Sequence, residues 1–232
     1  MPLLGQGVLA IWHTITPEGE PEYWRWHDRE HIPERVGVPG FLRGRRYRSL
    51  ERSLDYLDLY EVEDSETLRS APYLARLNDP TPWTRRMVPY FLNTLRVGYR
   101  VAASAGRGQG GVLLTMQMEA MDGATRPAAL SAAGIAALQD VTGVVSVHVL
   151  DATPEVTSIA TEEKRLRGPG DRAEADPWCL LVEADDPAVL TELRAGPLAP
   201  EGLRARGSRL RSAATYQLQI SIDPERGDPK WR

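Results

Sequence analysis

The strongest constraint on the fold of this 232-residue chain is a pattern of apolar words that occurs twice in the same order. The first copy reads VLAIW, VPGFLRGRRY and LRSAPYL at 8–12, 38–47 and 68–74; the second reads VLLTM, VTGVVSVHVL and LRAGPLA at 112–116, 141–150 and 193–199. Matches that keep their order and fall between matching elements indicate a tandem repeat, since coincidental likeness of short words would not keep that order. The glycine-rich segment 106–111 between the copies is predicted to be a linker.

Apolar periodicity predicts the same element order, βαββαβ, in both copies. The predicted elements of the first copy are strands 8–15, 41–50, 54–62 and 92–102 and helices 21–34 and 65–77. Those of the second copy are strands 112–119, 144–150, 178–183 and 209–222 and helices 126–138 and 187–206. In strand 54–62 the side chains alternate. Leu57 and Leu59 are therefore predicted to face the helices, and Tyr56, Asp58 and Tyr60 the opposite side.

Each copy alone would be a four-stranded antiparallel sheet with helices on one face only. The bare face needs a cover, and the other copy is the natural one. We therefore predict an α+β fold in which two modules, residues 1–105 and 112–223, pack sheet to sheet. The polar segment 153–177 has no apolar periodicity and is predicted to be a mobile insertion loop in the second module. The tail 224–232 is predicted to be disordered.

Composition limits the class of function. The formal net charge is −4 and the sequence pI is about 5.7, which argues against a general nucleic-acid-binding protein because such proteins carry a basic excess. The single cysteine, Cys179, excludes an internal disulfide and a cysteine-based zinc cluster. No apolar run has the length of a membrane span, and the N-terminus lacks the pattern of a signal peptide. We expect a cytoplasmic protein, a monomer or a homodimer, whose partner is a small molecule.

The segment 23–47, YWRWHDREHIPERVGVPGFLRGRRY, holds the densest chemistry of the chain. Thirteen of the sixteen aromatic residues and three of the four histidines precede residue 104. A purely structural duplication has no reason to remove aromatic residues and histidines from one copy only. The asymmetry favours one ligand pocket in the first copy; the alternative is a plain difference in core composition.

The candidate catalytic residues are His31, His27 and Asp28. The two histidines lie four residues apart on a predicted helix, so their imidazoles project from the same face. Histidine is the usual acid–base side chain near neutral pH, and a nearby carboxylate orients it. Asp28, Glu30 and Glu34 are the candidates for that carboxylate. The alternative is that one histidine is exposed and the other is a hydrogen-bonded core residue.

The candidate substrate-binding residues combine hydroxyl, guanidinium and aromatic groups: Trp24, Arg45, Tyr47, Tyr56, Tyr60 and Trp83, within a wider set that includes Trp12, His13, Asp58 and Tyr73. Hydroxyl and guanidinium groups suit an oxygenated, anionic or phenolic ligand. Aromatic walls favour a flat or polycyclic one. The alternative for any single member is packing on a face of the sheet.

A metal site is a further alternative, because histidines at positions i and i+4 are a common ligand pair. Its third ligand would come from His13, Glu30 or Asp58, and nothing in the spacing requires one. The chain has no G-x-G-x-x-G, P-loop or G-x-S-x-G motif, so nucleotide binding and serine hydrolysis lack support.

The chain resembles a known group, the dimeric α/β-barrel superfamily, whose ferredoxin-like modules pair sheet to sheet. The segment HIPERVGVPGFLRGRRY is similar to the helix-to-strand signature of EthD-like proteins. The matching residues are His31, Pro33, Pro39, Gly40, Arg46 and Tyr47. The second copy departs from the signature: it has Thr142-Gly143 in place of Pro-Gly, and no His-x-Pro precedes it.

The resemblance implies neighbours that act as cyclases, isomerases, decarboxylases or cofactor-free monooxygenases, and it favours His31 as the acting residue. The first hypothesis is a cofactor-independent enzyme in which His31 moves a proton on a hydrophobic oxygenated or aromatic substrate. Arg45 or Tyr60 would stabilise the developing oxyanion. The second is a non-catalytic binding or stress-response module that uses the same pocket. The third is a haem- or metal-dependent enzyme, because related barrels bind haem through histidine.

Overall fold

The computed structural model describes residues 3–121, 130–168 and 177–225. The strands are β1 (Gly7–Ile15), β2 (Phe41–Ser49), β3 (Asp55–Val62), β4 (Phe91–Gly106), β5 (Val112–Ala120), β6 (Val144–Ala152), β7 (Trp178–Ala184) and β8 (Ser208–Ile222). The α-helices are α1 (Glu20–Trp26), α2 (Ile32–Val36), α3 (Ala71–Asn78), α4 (Pro82–Met87), α5 (Ala132–Gln139), α6 (Pro154–Thr157), α7 (Glu162–Arg167), α8 (Pro187–Ala195) and α9 (Pro200–Ala205). Short 3₁₀ turns occupy Ser65–Arg69 and Val88–Tyr90.

The strands form a closed antiparallel barrel with the neighbour order β1-β3-β2-β8-β5-β7-β6-β4. Within this order, β4-β1-β3-β2 and β8-β5-β7-β6 have the same arrangement, which is that of a ferredoxin-like module. The predicted α+β class is confirmed. Within the described residues, no helix combines the length and the apolar character that crossing a membrane requires.

The chain divides into two compact units. Among the described residues, the first unit contains 4–100, 153–168 and 219–225; the second contains residue 3, 101–121, 130–152 and 177–218. Segment 153–168 therefore belongs with the first unit, although it directly follows β6 of the second unit.

The segment predicted to be a loop, 153–177, contains α6 and α7 in its described part. Helices of four and six residues are too short to show an apolar period or to be stable alone. Tertiary contacts hold them: Thr153 N–H donates to the Gly98 carbonyl at 2.9 Å, and Gly98 N–H donates to Thr157 Oγ1 at 3.2 Å. The prediction of an irregular loop was wrong here because these contacts leave no local sequence signal.

Other boundaries differ by a few residues. The predicted helix 65–77 is a 3₁₀ turn followed by α3, which Ser70 caps by accepting from Tyr73 N–H. Of the predicted helix 126–138, residues 126–129 lie outside the described residues. Of the predicted disordered tail 224–232, residues 226–232 lie outside them as well.

Each unit contains the same local arrangement around one buried glutamate. Glu61 on β3 accepts from Leu4 N–H at 2.7 Å, and Glu183 on β7 accepts from Gly110 N–H at 2.7 Å. Opposite each glutamate, the neighbouring strand has a register shift, at Phe41–Arg43 on β2 and at Val144–Ser146 on β6. The shared geometry aligns Glu61 with Glu183.

This alignment moves the match between VLAIW and VLLTM by one residue. Val8 pairs with Glu61, whereas Leu113 pairs with Glu183. Val8 therefore corresponds to Leu113 and not to Val112. Short apolar words do not fix a register, because neighbouring residues such as Val112 and Leu113 are equally apolar.

The predicted orientation of β3 was wrong. Tyr56, Asp58 and Tyr60 lie on the helix side of the sheet: Asp58 contacts His27 of the helical segment, and Tyr60 packs with Ile32 in one core cluster. The aliphatic residues Leu57 and Leu59 were predicted to face the helices. Asp58 faces them instead because Tyr23 and His27 of the helical segment contact its carboxylate.

Candidate active site

A π-helical turn at His27–His31 joins α1 to α2. Ile32 N–H donates to the His27 carbonyl, five residues earlier, so the turn contains one residue more than an α-helical turn. The ring centroids of Trp26 and His31, also five residues apart, are 4.2 Å from each other. Single π turns inside helices occur frequently at functional sites.

Asp58 is the centre of a buried polar cluster between β3 and the helical segment. Its Oδ2 lies 3.0 Å from His13 Nε2 and 3.3 Å from His27 Nε2. Its Oδ1 accepts from the Tyr23 hydroxyl at 3.0 Å. The Tyr60 hydroxyl lies 3.5 Å from His27 Nε2. We define Asp58, His13, His27 and Tyr23 as the Asp58 cluster.

The Asp58 cluster holds a carboxylate in its charged form. Burial alone would raise the pKa of Asp58, but His27 and His13 together lower that pKa far below its usual range. Burial lowers the pKa of His27, more than the attraction of Asp58 raises it. At neutral pH, His27 is therefore a neutral imidazole that donates its Nε2–H to an ionised Asp58.

His31 is the histidine that lines a cavity. Burial, together with the nearby Arg35 charge and His27, lowers the pKa of His31 well below 6.5. Its imidazole is thus unprotonated at neutral pH and can accept a proton. Its Nδ1 is buried without a hydrogen-bond partner.

The cavity has a volume of about 40 Å³, counted as the space that water molecules can occupy. One water needs roughly 10–15 Å³ in this measure, so the space corresponds to about three waters or one small ring. A polycyclic ligand, which the aromatic content favoured, is larger than this cavity. Its lining is largely apolar and aromatic on one side, with His31, Asp58, Tyr60, Arg35, Arg96, Glu163 and Arg167 as its main polar groups.

One wall of the cavity is an ion pair between α2 and α7. Arg35 donates to Glu163, and both side chains are almost fully buried and line the cavity. The Glu163 charge helps to raise the pKa of Arg35 against the opposing effect of burial. The buried charges are therefore paired, as a low-dielectric environment requires.

Gly44 on β2 sets the distance between the sheet and the helical segment. A methyl group at Gly44 would lie 2.6 Å from Ile32 Cγ2 and 3.0 Å from Tyr60 Cε1. The missing side chain lets α2 approach the sheet closely, and the π turn lies directly before α2.

The second unit has apolar residues at the positions that form the Asp58 cluster and its surroundings in the first unit. With Glu61 aligned to Glu183, the counterparts of His13, Asp58, Tyr60 and Gly44 are Met118, Leu180, Val182 and Val147. All four counterparts belong to one buried hydrophobic cluster. The same sheet face is thus a plain apolar core in one unit and a polar cluster beside a cavity in the other.

The three predicted catalytic residues occupy different places. His31 lines the cavity, and His27 lies behind it in the Asp58 cluster, with the two ring centroids 5.6 Å apart. Asp28 does not join them: its Oδ1 accepts from Arg46 at 2.5 Å. The carboxylate that orients His27 is Asp58, which comes from β3 and not from the helix.

Of the six predicted substrate-binding residues, Tyr60 lines the cavity and the other five do not. Trp24 donates to the Tyr56 hydroxyl at 2.9 Å, and Trp83 donates to Glu22 at 2.9 Å. Arg45 is buried, donates to the Tyr47 hydroxyl at 2.6 Å and pairs with Glu61 at 2.9 Å.

Sequence reasoning missed several residues of the site. Arg35 follows His31 by four residues, so helical spacing alone could have identified it. Trp26 stacks on His31 through a π turn that no spacing rule anticipates. Glu163 carries no signal at all, because it lies in a segment without periodicity.

Among residues 3–121, 130–168 and 177–225, no group of three His, Cys, Asp or Glu side chains has an arrangement that could hold a metal ion. The predicted alternative ligands His13 and Asp58 do meet, but they contact each other directly at 3.0 Å.

No protein-family model matches the sequence, and no significant match is found among curated proteins. Solved structures share the fold. An anthrone oxidase-like protein is 16% identical, with 96% of this chain and 93% of that chain covered and a TM-score of 0.63. A candidate monooxygenase from Fusobacterium nucleatum is 11% identical, with 95% and 96% covered and a TM-score of 0.54. A haem-binding protein from Thermus thermophilus is 12% identical, with 93% and 92% covered and a TM-score of 0.51.

Proposed function

We propose that this protein is a cofactor-independent enzyme in which His31 removes a proton from a small oxygenated substrate. The observation that carries the proposal is an unprotonated, buried imidazole that lines a cavity next to an ionised carboxylate cluster. A general base must be unprotonated at the operating pH and must lie within reach of the proton that it removes.

In this mechanism each group of the site has one role. The substrate C–H or O–H bond breaks, its proton passes to the imidazole of His31, and its electron pair stays on the substrate as an enolate or phenolate. The Tyr60 hydroxyl, which lines the cavity, would donate to that oxygen. Burial and the Asp58 charge raise the pKa of Tyr60 well above 10, so the hydroxyl keeps its proton.

The Asp58 cluster acts through position and charge. Asp58 fixes His27 by accepting its Nε2–H, and the His27 ring lies roughly parallel to His31, with an interplanar angle of 21°. A negative charge near His31 also favours the imidazolium that forms after proton transfer.

The fold supports this class of function without defining the reaction. The anthrone oxidase-like protein and the candidate monooxygenase carry names of enzymes that act on small molecules. The resemblance to the EthD-like signature favours His31, and His31 is the histidine that lines the cavity. Since one scaffold hosts many reactions, the choice among cyclase, isomerase, decarboxylase and monooxygenase depends on the substrate.

We also propose that the chain arose by tandem duplication and that only the first unit kept a site. The paired Glu61 and Glu183 arrangements support a common origin. The apolar counterparts of the Asp58 cluster support loss of the site from the second unit.

Haem, which one structural neighbour binds, does not fit the residues present. Both ring nitrogens of His148 lie within hydrogen-bond distance of serine hydroxyls, Ser104 at 2.7 Å and Ser146 at 3.2 Å. His13 and His27 are engaged by Asp58. The cavity beside His31 has room for about one small ring, far less than a porphyrin requires.

The test is proton exchange in D₂O, followed by NMR, on a panel of single-ring phenols and β-keto acids. We expect deuterium to enter an acidic C–H position of at least one compound faster than it does without enzyme, and His31→Gln to slow that exchange roughly 100-fold or more. O–H positions are left out because they exchange with D₂O without a catalyst. Circular dichroism of the variant should match the parent protein. Exchange at the parental rate in a folded His31→Gln variant would exclude His31 as the base. Tight ligand binding with no exchange on any compound would favour the binding-module alternative.

A further inference from the structure

A second cavity adjoins the one beside His31. Its volume, counted in the same way, is about 30 Å³. Leu77, Arg96 and Arg167 line both cavities. The shared side chains show that the two spaces are neighbours.

The charged residues that line the second cavity are all basic: Arg96, Lys164 and Arg167. Within the described residues, no carboxylate lines it, in a chain whose net charge is −4. The hydroxyl groups of Thr157 and Thr161 complete the polar lining.

The carboxylates of the first cavity offset this charge only in part, because Glu163 Oε2 lies 3.9 Å from Arg167 Nη1. Asp58 is engaged by the donors of its cluster, and Glu163 is paired with Arg35. Arg96 donates to the Tyr73 hydroxyl at 3.1 Å, and its guanidinium lies 5.9 Å from the Tyr73 ring centroid. Both contacts of Arg96 are with an uncharged group, so they leave its positive charge available to an anion.

The two cavities have different linings, and each lining suits a different end of one ligand. The first contains the walls that suit a ring, among them Leu9, Trp26 and Phe91, and has the volume of about one small ring. The second is smaller, and its basic and hydroxyl groups suit a compact anion such as a carboxylate.

We propose that the two cavities form one site that is selective for single-ring aromatic or enolic acids. The carboxylate binds among Arg96, Lys164 and Arg167, and the ring lies beside His31, where its phenolic or enolic proton is removed. This substrate class rests on the proposed function for the reacting end, whereas the selectivity for an anion rests on the basic lining alone.

The test compares two probes of nearly equal shape, 2-hydroxybenzoate and its uncharged amide, by isothermal titration calorimetry. We expect the acid to bind roughly tenfold more tightly than the amide. Arg96→Gln should remove most of that preference. Lys164→Gln should reduce it about threefold, because Lys164 is exposed and its charge is screened.

Arg165→Gln is the matched control, because Arg165 lies on the same helix, α7, and lines neither of these two cavities. It removes the same charge as Lys164→Gln and should leave both affinities unchanged. Equal binding of acid and amide, equal weakening by Arg165→Gln and Lys164→Gln, or no binding of either probe at millimolar concentration would each overturn the proposal.

The outcomes also separate this inference from the proposed function. His31→Gln should still prefer the acid over the amide while losing proton exchange. Exchange that depends on His31 without any preference for the acid would overturn the anion site only. Preference for the acid without exchange that depends on His31 would overturn the proposed function only.

Discussion

The environment of His31 disfavours the charged form of imidazole and so keeps the side chain unprotonated at neutral pH, which is the form that the proposed general base requires. Burial is the largest cause of its lowered pKa, and the neighbouring Arg35 charge acts in the same direction. Its sequence neighbour His27 has a lowered pKa as well, but His27 is occupied as a donor to Asp58. Two histidines one turn apart thus have different surroundings, and spacing alone could not predict the difference.

The lowered pKa of His31 predicts the pH dependence of activity. A general base acts when it is unprotonated, that is, above its pKa. Because burial moves this pKa below 6.5, kcat/KM should remain constant as the pH falls through 6.5 and should decrease only in more acidic solution. A pH–rate profile of the free enzyme, measured with the substrate from the exchange panel, checks this. An acidic limb centred at or above 6.5 would contradict the assignment of His31.

At the scale of elements, the site depends on how closely one helical segment approaches one sheet. The π turn brings Trp26 and His31 together, and Gly44 allows α2 to lie against β2 and β3. Segment 153–168 adds Glu163, which completes one wall of the cavity by pairing with Arg35 of α2. The helix and the strands were predictable from periodicity; the π turn and the role of α7 were not, because both depend on contacts distant in sequence.

Gly44→Ala tests the importance of this approach. The added methyl group would collide with Ile32 and Tyr60, so we expect a loss of about 1–3 kcal/mol of unfolding free energy and a larger loss of activity. Urea unfolding and the exchange assay measure the two effects. Gly111→Ala is the control, because its nearest atom is 3.9 Å away, and it should change neither quantity appreciably. Parental activity in Gly44→Ala would show that the site tolerates a wider spacing.

At the scale of the whole molecule, the helix side of the sheet is polar in the first unit and apolar in the second, although the strand order is the same. The second unit fills the helix side of its sheet with Met118, Leu180 and Val182, and it needs no buried charge there to fold. The first unit buries Asp58, which contributes little net stability once the cost of desolvation is included. The Asp58 cluster is therefore better explained by function than by folding.

This comparison predicts the stability of two variants. Asp58→Leu alone leaves the donors of Tyr23, His13 and His27 unpaired, so we expect a destabilisation of roughly 3 kcal/mol or more. Adding His13→Met, His27→Leu and Tyr23→Phe removes those donors and should restore most of the loss without restoring activity. Urea unfolding of both variants measures this. A quadruple variant that is less stable than the single one would show that the cluster is structural.

The sequence alone determined the strands, most helices, the α+β class and the concentration of histidines and aromatic residues before residue 104, because each follows from local periodicity and composition. It also singled out His31, which lines the cavity, as a candidate. Only the tertiary structure decided that Asp58 faces the helices and that Glu163 lines the cavity. It also decided that Arg45 forms an ion pair with Glu61, and Asp28 one with Arg46. These outcomes depend on which donors and charges meet across elements, and a one-residue change of register or one extra residue in a turn alters them without altering the local pattern.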